Sequence, residues 1–245
     1  MKYEMMFPDQ LRLAIKENWP VVLPIGVLEY HGEHCCLGVD TLLVIRAVEE
    51  LEKKLKLIHL PAFYYGASSH AVEAPEGNGS VHIHADELHD FGKELFAKLL
   101  RIGFRNIHGF IHHQSENFAA GMPTDLAFKL ASRQALFDFL EIEKGEGWWG
   151  KPEMANYYAA HAGHTSPFDW IRIHPLLDAE TQARFPIDHA GKQETSLMLA
   201  LCPEGVDMKK LSKEKWYTRS ALDASREYGE EAKGLILKKM EALLS

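Results

Sequence analysis

The sequence predicts an α/β fold, a mainly parallel sheet with crossover helices on both faces. The first observation is that apolar runs alternate with segments of helical period for most of the chain, the order of strands joined by covering helices. The second is that 245 residues, 46% hydrophobic and 25% charged, have the balance of an ordinary globular protein. A chain of this size can bury roughly three-quarters of its unfolded surface, so no disulfide or metal is needed to hold it together. It is read as one domain, 1–245, in which any metal serves chemistry.

In chain order, Trp19 to Ile25 is the first strand. Asp40 stands at an N-cap position before TLLVIRAVEELEKKL, whose apolar residues recur at three and four. Leu55 to Phe63 is a second strand candidate, followed by a loop rich in Gly, Ser and His from Tyr65 to His84. ADELHDFGKELFAKLLRIG reads as an amphipathic helix and NIHGFIH, Asn106 to His112, as a buried strand. A helix is expected from about Asn117 to Gln134 and a further strand from Leu136 to Ile142. The segment Glu143 to His189, long, aromatic and interrupted by Gly and Pro, reads as an ordered lid. ETSLMLALC is helical, an edge strand is expected around Glu204 to Met208, and Ser220 to Leu244 is a charged amphipathic helix.

A formal net charge of −8, with no basic run beyond pairs such as KK, argues against a nucleic-acid partner. MKYEMMFPDQ lacks the apolar run of a signal peptide, and no stretch approaches a membrane span, so no membrane partner and a cytoplasmic location are expected. Cys35, Cys36 and Cys202 form no CxxC; they read as packing residues, neither disulfide partners nor thiolate ligands.

The densest polar cluster is EYHGEHCCLGVD, residues 29 to 40. Glu29 and His31 are two apart, so on an extended segment both side chains leave the same face and can converge. Asp40 can return to that point, and its two oxygens can bridge a pair of ions. Imidazole with carboxylates suits Zn²⁺, Mn²⁺ or Fe²⁺ rather than a structural cysteine site. The spacing alone leaves a metal site and a solvated loop both open.

A second cluster, His112, His113, Gln114, Ser115, Glu116 and Asn117, follows the buried strand. It is hard to explain as core packing, because burying such groups unpaired costs several kcal/mol, of order 2–7 each. A third, DHAGKQETS, supplies His189 and Glu194, the latter also explained as a first-turn glutamate favoured by the helix dipole. Sites in such sheets form at the carboxyl ends of the strands, where the first two clusters fall.

These segments resemble the creatininase family of metal-dependent amidohydrolases. Its N-terminal pattern LPxGxxExHGxHxPLGxD is matched by LPIGVLEYHGEHCCLGVD; its GFRNIxxxNGHxxN is similar to GFRNIHGFIHHQSEN, and its HAGxxETSxMLAL to HAGKQETSLMLAL. Order and spacing agree from about residue 20 to residue 208.

The resemblance implies a three-layer α/β/α sandwich and a two-metal site, zinc first, with manganese or iron as alternatives and one or two ions per chain. It implies Glu29 and Asp40 on the first ion, and His31, Asp40 and Glu116 on the second, with Gln114 standing where the family's NGH histidine completes the first. An amide oxygen is a weak ligand there, and His113, one residue along, is expected to face the other way. Glu116, His189 and Glu194 are the implied catalytic groups, moving protons while metal-activated water cleaves a C–N bond of a small cyclic amide or formamide. Trp148, Trp149 and Trp170 resemble the family's aromatic lid, with plain packing or an oligomer interface as competitors. A small-molecule substrate and a homo-oligomer, a hexamer by resemblance, complete the expectation.

His34, His70, His82, His84, His161 and His164 read more simply as hydrogen-bonded loop histidines than as ligands. Two other functions compete with the hydrolase. One is a metal- or small-molecule-binding relative that has lost turnover because of Gln114. The other is a cysteine-nucleophile hydrolase using Cys35 or Cys36 with a nearby histidine.

Overall fold

Every residue of VVLPI and IHGFI is buried, as strands covered on both faces require. The computed structural model describes residues 1–162 and 166–245. After α1 (Pro8–Lys16) come β1 (Val21–Ile25), α2 (Val39–Glu52), β2 (Ile58–His59), α3 (Ala85–Ile102), β3 (Ile107–Ile111) and α4 (Pro123–Lys144). Then follow α5 (Tyr157–Ala162), β4 (Ile171–Pro175), α6 (Ala179–Arg184), α7 (Lys192–Leu201) and α8 (Arg226–Leu244).

Among the described residues the four strands form one parallel sheet in the order β2-β1-β3-β4. Alternation along each strand divides the core. Val21, Leu23, Ile25, Ile107 and Ile111 pack with Phe96, Phe128 and Leu136 of α3 and α4. Val22 and Phe110 pack on the other face with Val44, Leu197 and Ile236 of α2, α7 and α8. The result is the expected α/β/α sandwich.

The order has one functional consequence. The chain leaves β1 towards β2 on one side, while β3 lies on the other, so the ends of β1 and β3 flank the switch point where open α/β sheets hold their ligands. Gly26 lets β1 end close against α2, since a Cβ there would lie 2.5 Å from the Thr41 nitrogen. On the same face α7 and α8 meet at Gly229, where a Cβ would run into the Ser196 carbonyl.

Four expectations are corrected. Leu136 to Ile142 is the end of α4, not a strand: Phe128, Ala131, Ala135, Leu136 and Leu140 are buried at helical spacing, while Phe137 and Ile142 are exposed. The aromatic segment after Glu143 contributes a strand, β4, whose Ile171 and Ile173 pair with Ile107 and Gly109. No edge strand runs from Glu204 to Met208; short 3₁₀ turns flank a single antiparallel bridge from Val206 to Cys35. The second strand shrinks to Ile58–His59, because Pro61 donates no backbone hydrogen bond.

Candidate metal centre

Four chain segments meet at the carboxyl ends of β1 and β3. The stretch after β1 brings Glu29 and His31, the first turn of α2 brings Asp40, the end of β3 brings His112 and His113, and the loop into α7 with its first turn brings His189 and Glu194. Asp40 is not the N-cap expected of it. Gly38 holds that position, and Asp40 lies inside the first turn, where the helix dipole favours its charge. Glu29, His31, Asp40, His112 and Glu194 are all buried, at 5% exposure or less.

Asp40 is the pivot. One of its oxygens lies 3.8 Å from His31 Nε2, which is 3.4 Å from Glu194; the other lies 3.7 Å from His113 Nδ1, which is 3.2 Å from Glu29. Two sets able to hold a cation therefore share this carboxylate: Glu29, Asp40 and His113, and His31, Asp40 and Glu194. A third combination is Glu29, His31 and His189.

The unpaired atoms say what the cluster is for. His31 Nδ1 faces the Glu29 carbonyl at 3.0 Å, and since a carbonyl only accepts, Nδ1 carries a proton and Nε2 is the nitrogen able to hold an ion. That Nε2 and Asp40 Oδ2 are buried with no hydrogen-bond partner. Other buried side-chain atoms also lack a partner, but these two belong to the ligand sets that share Asp40, an imidazole nitrogen and a carboxylate oxygen, which fits a bound divalent cation.

The remaining groups orient this set. His112 Nε2 lies 3.0 Å from Glu194 Oε1, and the Ala190 N–H donates to Glu194 Oε2 at 2.7 Å. Asp188 caps α7, accepting from the N–H groups of Gln193 and Glu194 at 2.7 and 3.1 Å. His34 Nε2 lies 2.9 Å from Thr195 Oγ1, which secures the motif loop to α7. His189 places Nε2 2.9 Å from the Tyr30 carbonyl, so Nε2 donates there and Nδ1 is the ring nitrogen turned to Glu29, 3.9 Å away.

Charge balance follows from these contacts. Burial disfavours the charged forms of His31 and His113, but Asp40 and Glu194 beside the first, and Glu29 and Asp40 beside the second, more than offset it. His31 is raised, and His113 is pushed up to about 9. Burial likewise opposes ionisation of Glu194, yet His31 and His112 hold it well below the usual carboxylate range. Burial, with Glu194 nearby, raises Asp188 to about 6.

The structure brings together Glu29, His31, Asp40, His189 and Glu194, with Glu194, expected beside the substrate, in a ligand set instead, and separates two others. Gln114 is turned away: its amide donates to the Leu177 carbonyl at 2.7 Å and accepts the Leu177 N–H at 3.0 Å, so neither amide atom is free for an ion. Glu116 is exposed on the cavity wall and belongs to none of the three sets. Its place on the second set is filled by Glu194.

His113 takes the place expected of Gln114 for a backbone reason. With φ of 65° it lies in the left-handed region, so the chain has left the strand and alternation no longer applies. Ala190, beside Glu194, is also left-handed at φ 51°. Such conformations cost a non-glycine residue roughly 1–2 kcal/mol each and concentrate at functional sites. Counted without a gap from Gly103, the motif's histidine falls on His113, a signal the sequence contained.

A cavity of about 590 Å³ opens over the cluster, lined by Glu29, His112, His113, His189 and Glu194 and walled by Met122, Ile187, Trp216 and Tyr217. None of the three expected lid tryptophans lines it. Trp148 is buried against Phe137 and Phe168, Trp149 packs on Tyr157 and Tyr158, and Trp170 stacks on Arg105. His70, His82 and His84 form a row of edge-on rings on the loop before α3; His164 and the side chain of His161 lie outside the described residues.

Among known proteins, the chain is 26% identical over 194 residues to the creatinine amidohydrolase of Pseudomonas putida, a match covering 77% of this chain and 66% of that protein. It thus spans just under two-thirds of that relative's length. A solved manganese creatininase superposes with a TM-score of 0.72 at 18% identity, over 98% of this chain and 95% of that one. A Zn–Zn form of a creatininase mutant gives 0.71 at 20%, with the same coverage. The sequence model described as creatininase, creatinine amidohydrolase, matches residues 4–236. With its three motifs meeting around Asp40 and nearly its whole length matched, this chain belongs to the creatininase family.

Proposed function

We propose that the protein is a metal-dependent amidohydrolase that cleaves a C–N bond of a small cyclic amide or formamide. The observation that carries this reading is the sharing of Asp40 between two ligand sets at the floor of a cavity sized for a small molecule. Glu29, Asp40 and His113 would hold one divalent ion and His31, Asp40 and Glu194 the other; donors of this kind suit zinc or manganese, with iron a further candidate. Bound there, such ions supply polarisation of a carbonyl and make water acidic near neutral pH.

The chain's own groups supply the rest. His189, with Nε2 committed to the Tyr30 carbonyl, presents Nδ1 as the base that takes a proton and delivers it to the leaving nitrogen. His112 keeps Glu194 aligned, and exposed Glu116 on the cavity wall is placed to meet polar parts of a substrate. The binding relative without turnover drew on Gln114 as a poor ligand, and Gln114 is engaged by Leu177. The cysteine-nucleophile reading is disfavoured because neither Cys35 nor Cys36 lines the cavity, and burial pushes the Cys35 thiol up to about 12.

The test is metal analysis of the purified protein together with hydrolysis assays on creatinine and N-methylformamide, for the native chain and His189→Asn. Bound zinc, manganese or iron and C–N cleavage that falls about a hundredfold or more in the variant support the reading. Metal-free protein that stays inert after reloading with each ion refutes it. Assembly into a homo-hexamer belongs to the same proposal, and light scattering tests it.

A further inference from the structure

The wall of the cavity beside His189 contains an arrangement that the site chemistry does not use. Glu73, on the loop before α3, accepts the Tyr217 hydroxyl at 3.0 Å and pairs with Lys215 Nζ at 2.5 Å. The same carboxylate thus grips the residues on either side of Trp216. Below them Thr218 is buried and donates to the Ser212 and Lys215 carbonyls, fixing the turn from inside. Ser220 receives the Lys192 N–H, tying the same segment to the start of α7. Trp216 is the exposed aromatic of this clamped stretch: the residue is 79% exposed and lines the cavity.

An exposed indole on a mobile loop would be ordinary. One held at a cavity lip by an ion pair and a hydrogen bond on its two neighbours has its backbone freedom already restricted, so stacking on it costs little further ordering. The rings lead inward from there. Trp216 meets Tyr217 edge to face (5.9 Å, 89°), Tyr217 meets His189 (5.6 Å, 65°), and His189 lies over His31 (4.3 Å, 33°). An unbroken aromatic path joins the solvent side of the cavity to the metal cluster.

We propose that Trp216, held by the Glu73 clamp, is the specificity-determining residue of the site, stacking on a planar cyclic amide and selecting it over an acyclic one. This rests on the amidohydrolase reading for the bond cleaved, while the stacking itself does not. The predicted lid of Trp148, Trp149 and Trp170 is then replaced, within one chain, by a residue from the segment after α7.

The experiment titrates the protein as purified, with Trp216→Phe, Trp216→Ala and Glu73→Gln, against creatinine, hydantoin and succinimide, using N-methylformamide as the acyclic control. Binding is read by calorimetry and by tryptophan fluorescence, and turnover is read separately. The native protein is expected to show saturable quenching by at least one ring compound. Trp216→Phe should lose the quenching but keep the affinity within about twofold, and Trp216→Ala should bind the ring about tenfold more weakly. Glu73→Gln should fall between them, and N-methylformamide should not distinguish the four proteins. Equal ring affinity in Trp216→Ala and the native chain, or no saturable quenching by any of the three rings, overturns the inference. Trp216-dependent binding without C–N cleavage overturns the amidohydrolase reading and leaves the inference standing. Cleavage indifferent to Trp216 does the reverse.

Discussion

The two ends of β3 bury histidines in opposite company. At the carboxyl end, His112 and His113 face Glu194, Glu29 and Asp40. At the amino end, His108 stacks on His174 of β4, with Nδ1 3.1 Å from His174 Nε2 and Nε2 3.1 Å from Arg172 Nη2. Burial opposes charge in both places. At the first end the carboxylates reverse it and His113 rises to about 9; at the second, His174 and Arg172 reinforce it and His108 falls to about 2, with His174 at about 4. One strand and one residue type thus give a cation-seeking cluster and a neutral structural one, and the neighbours decide which.

The difference can be broken most severely at Asp40, the carboxylate both ligand sets share. Asp40→Asn keeps the shape but removes the charge, and metal affinity should fall by more than the ~100-fold that loss of a mere supporting group costs. Metal content of the purified variant, measured by plasma mass spectrometry, checks this. Full retention would mean that the cluster is held together by something else.

A smaller change separates His113 from its neighbour. His113→Ala should lower metal stoichiometry, while Gln114→Ala should leave it unchanged and lower stability by about 1–3 kcal/mol, the cost of leaving the buried Leu177 N–H without its partner, Gln182 still donating to the carbonyl. Metal analysis and urea unfolding distinguish the two. The reverse pattern would restore Gln114 as a ligand.

The smallest effect lies at the amino end. With a folded pKa of about 2 against an ordinary 6.5, His108 takes up its proton in the unfolded chain first. Its contribution to stability is full above pH 6.5 and is lost as pH falls from there towards 2. His108→Asn should therefore flatten the stability profile between about pH 6 and 4.5 by up to one proton, ~1.4 kcal/mol per pH unit. Denaturant melts at both pH values test it, and an unchanged slope would show that His108 is not held neutral.

The sandwich was legible in the sequence because strands buried on both faces and amphipathic helices leave different periods. Glu29, His31 and Asp40 were legible because their spacing projects them to one point, whatever the details of the turn. What failed depended on a single backbone angle or on packing. Alternation predicted that His113 would face away, and one left-handed residue undoes alternation. Leu136 to Ile142 satisfies a strand pattern as readily as a helical one, and only the preceding turns of α4 decide between them. Trp216 escaped notice because a carboxylate 143 residues earlier in the chain, Glu73, fixes its surroundings.

Gly229 extends the site's demands to a helix that never reaches it. No residue of α8 lines the cavity, yet the contact at Gly229 sets how close α7 can lie, and α7 carries Glu194 in its first turn. Even one methyl group at position 229 must displace α7 or α8, so the aim of Glu194 is inherited from the outermost layer of the sandwich. A search for folded variants that bind less metal should recover this position beside Asp40 and His113.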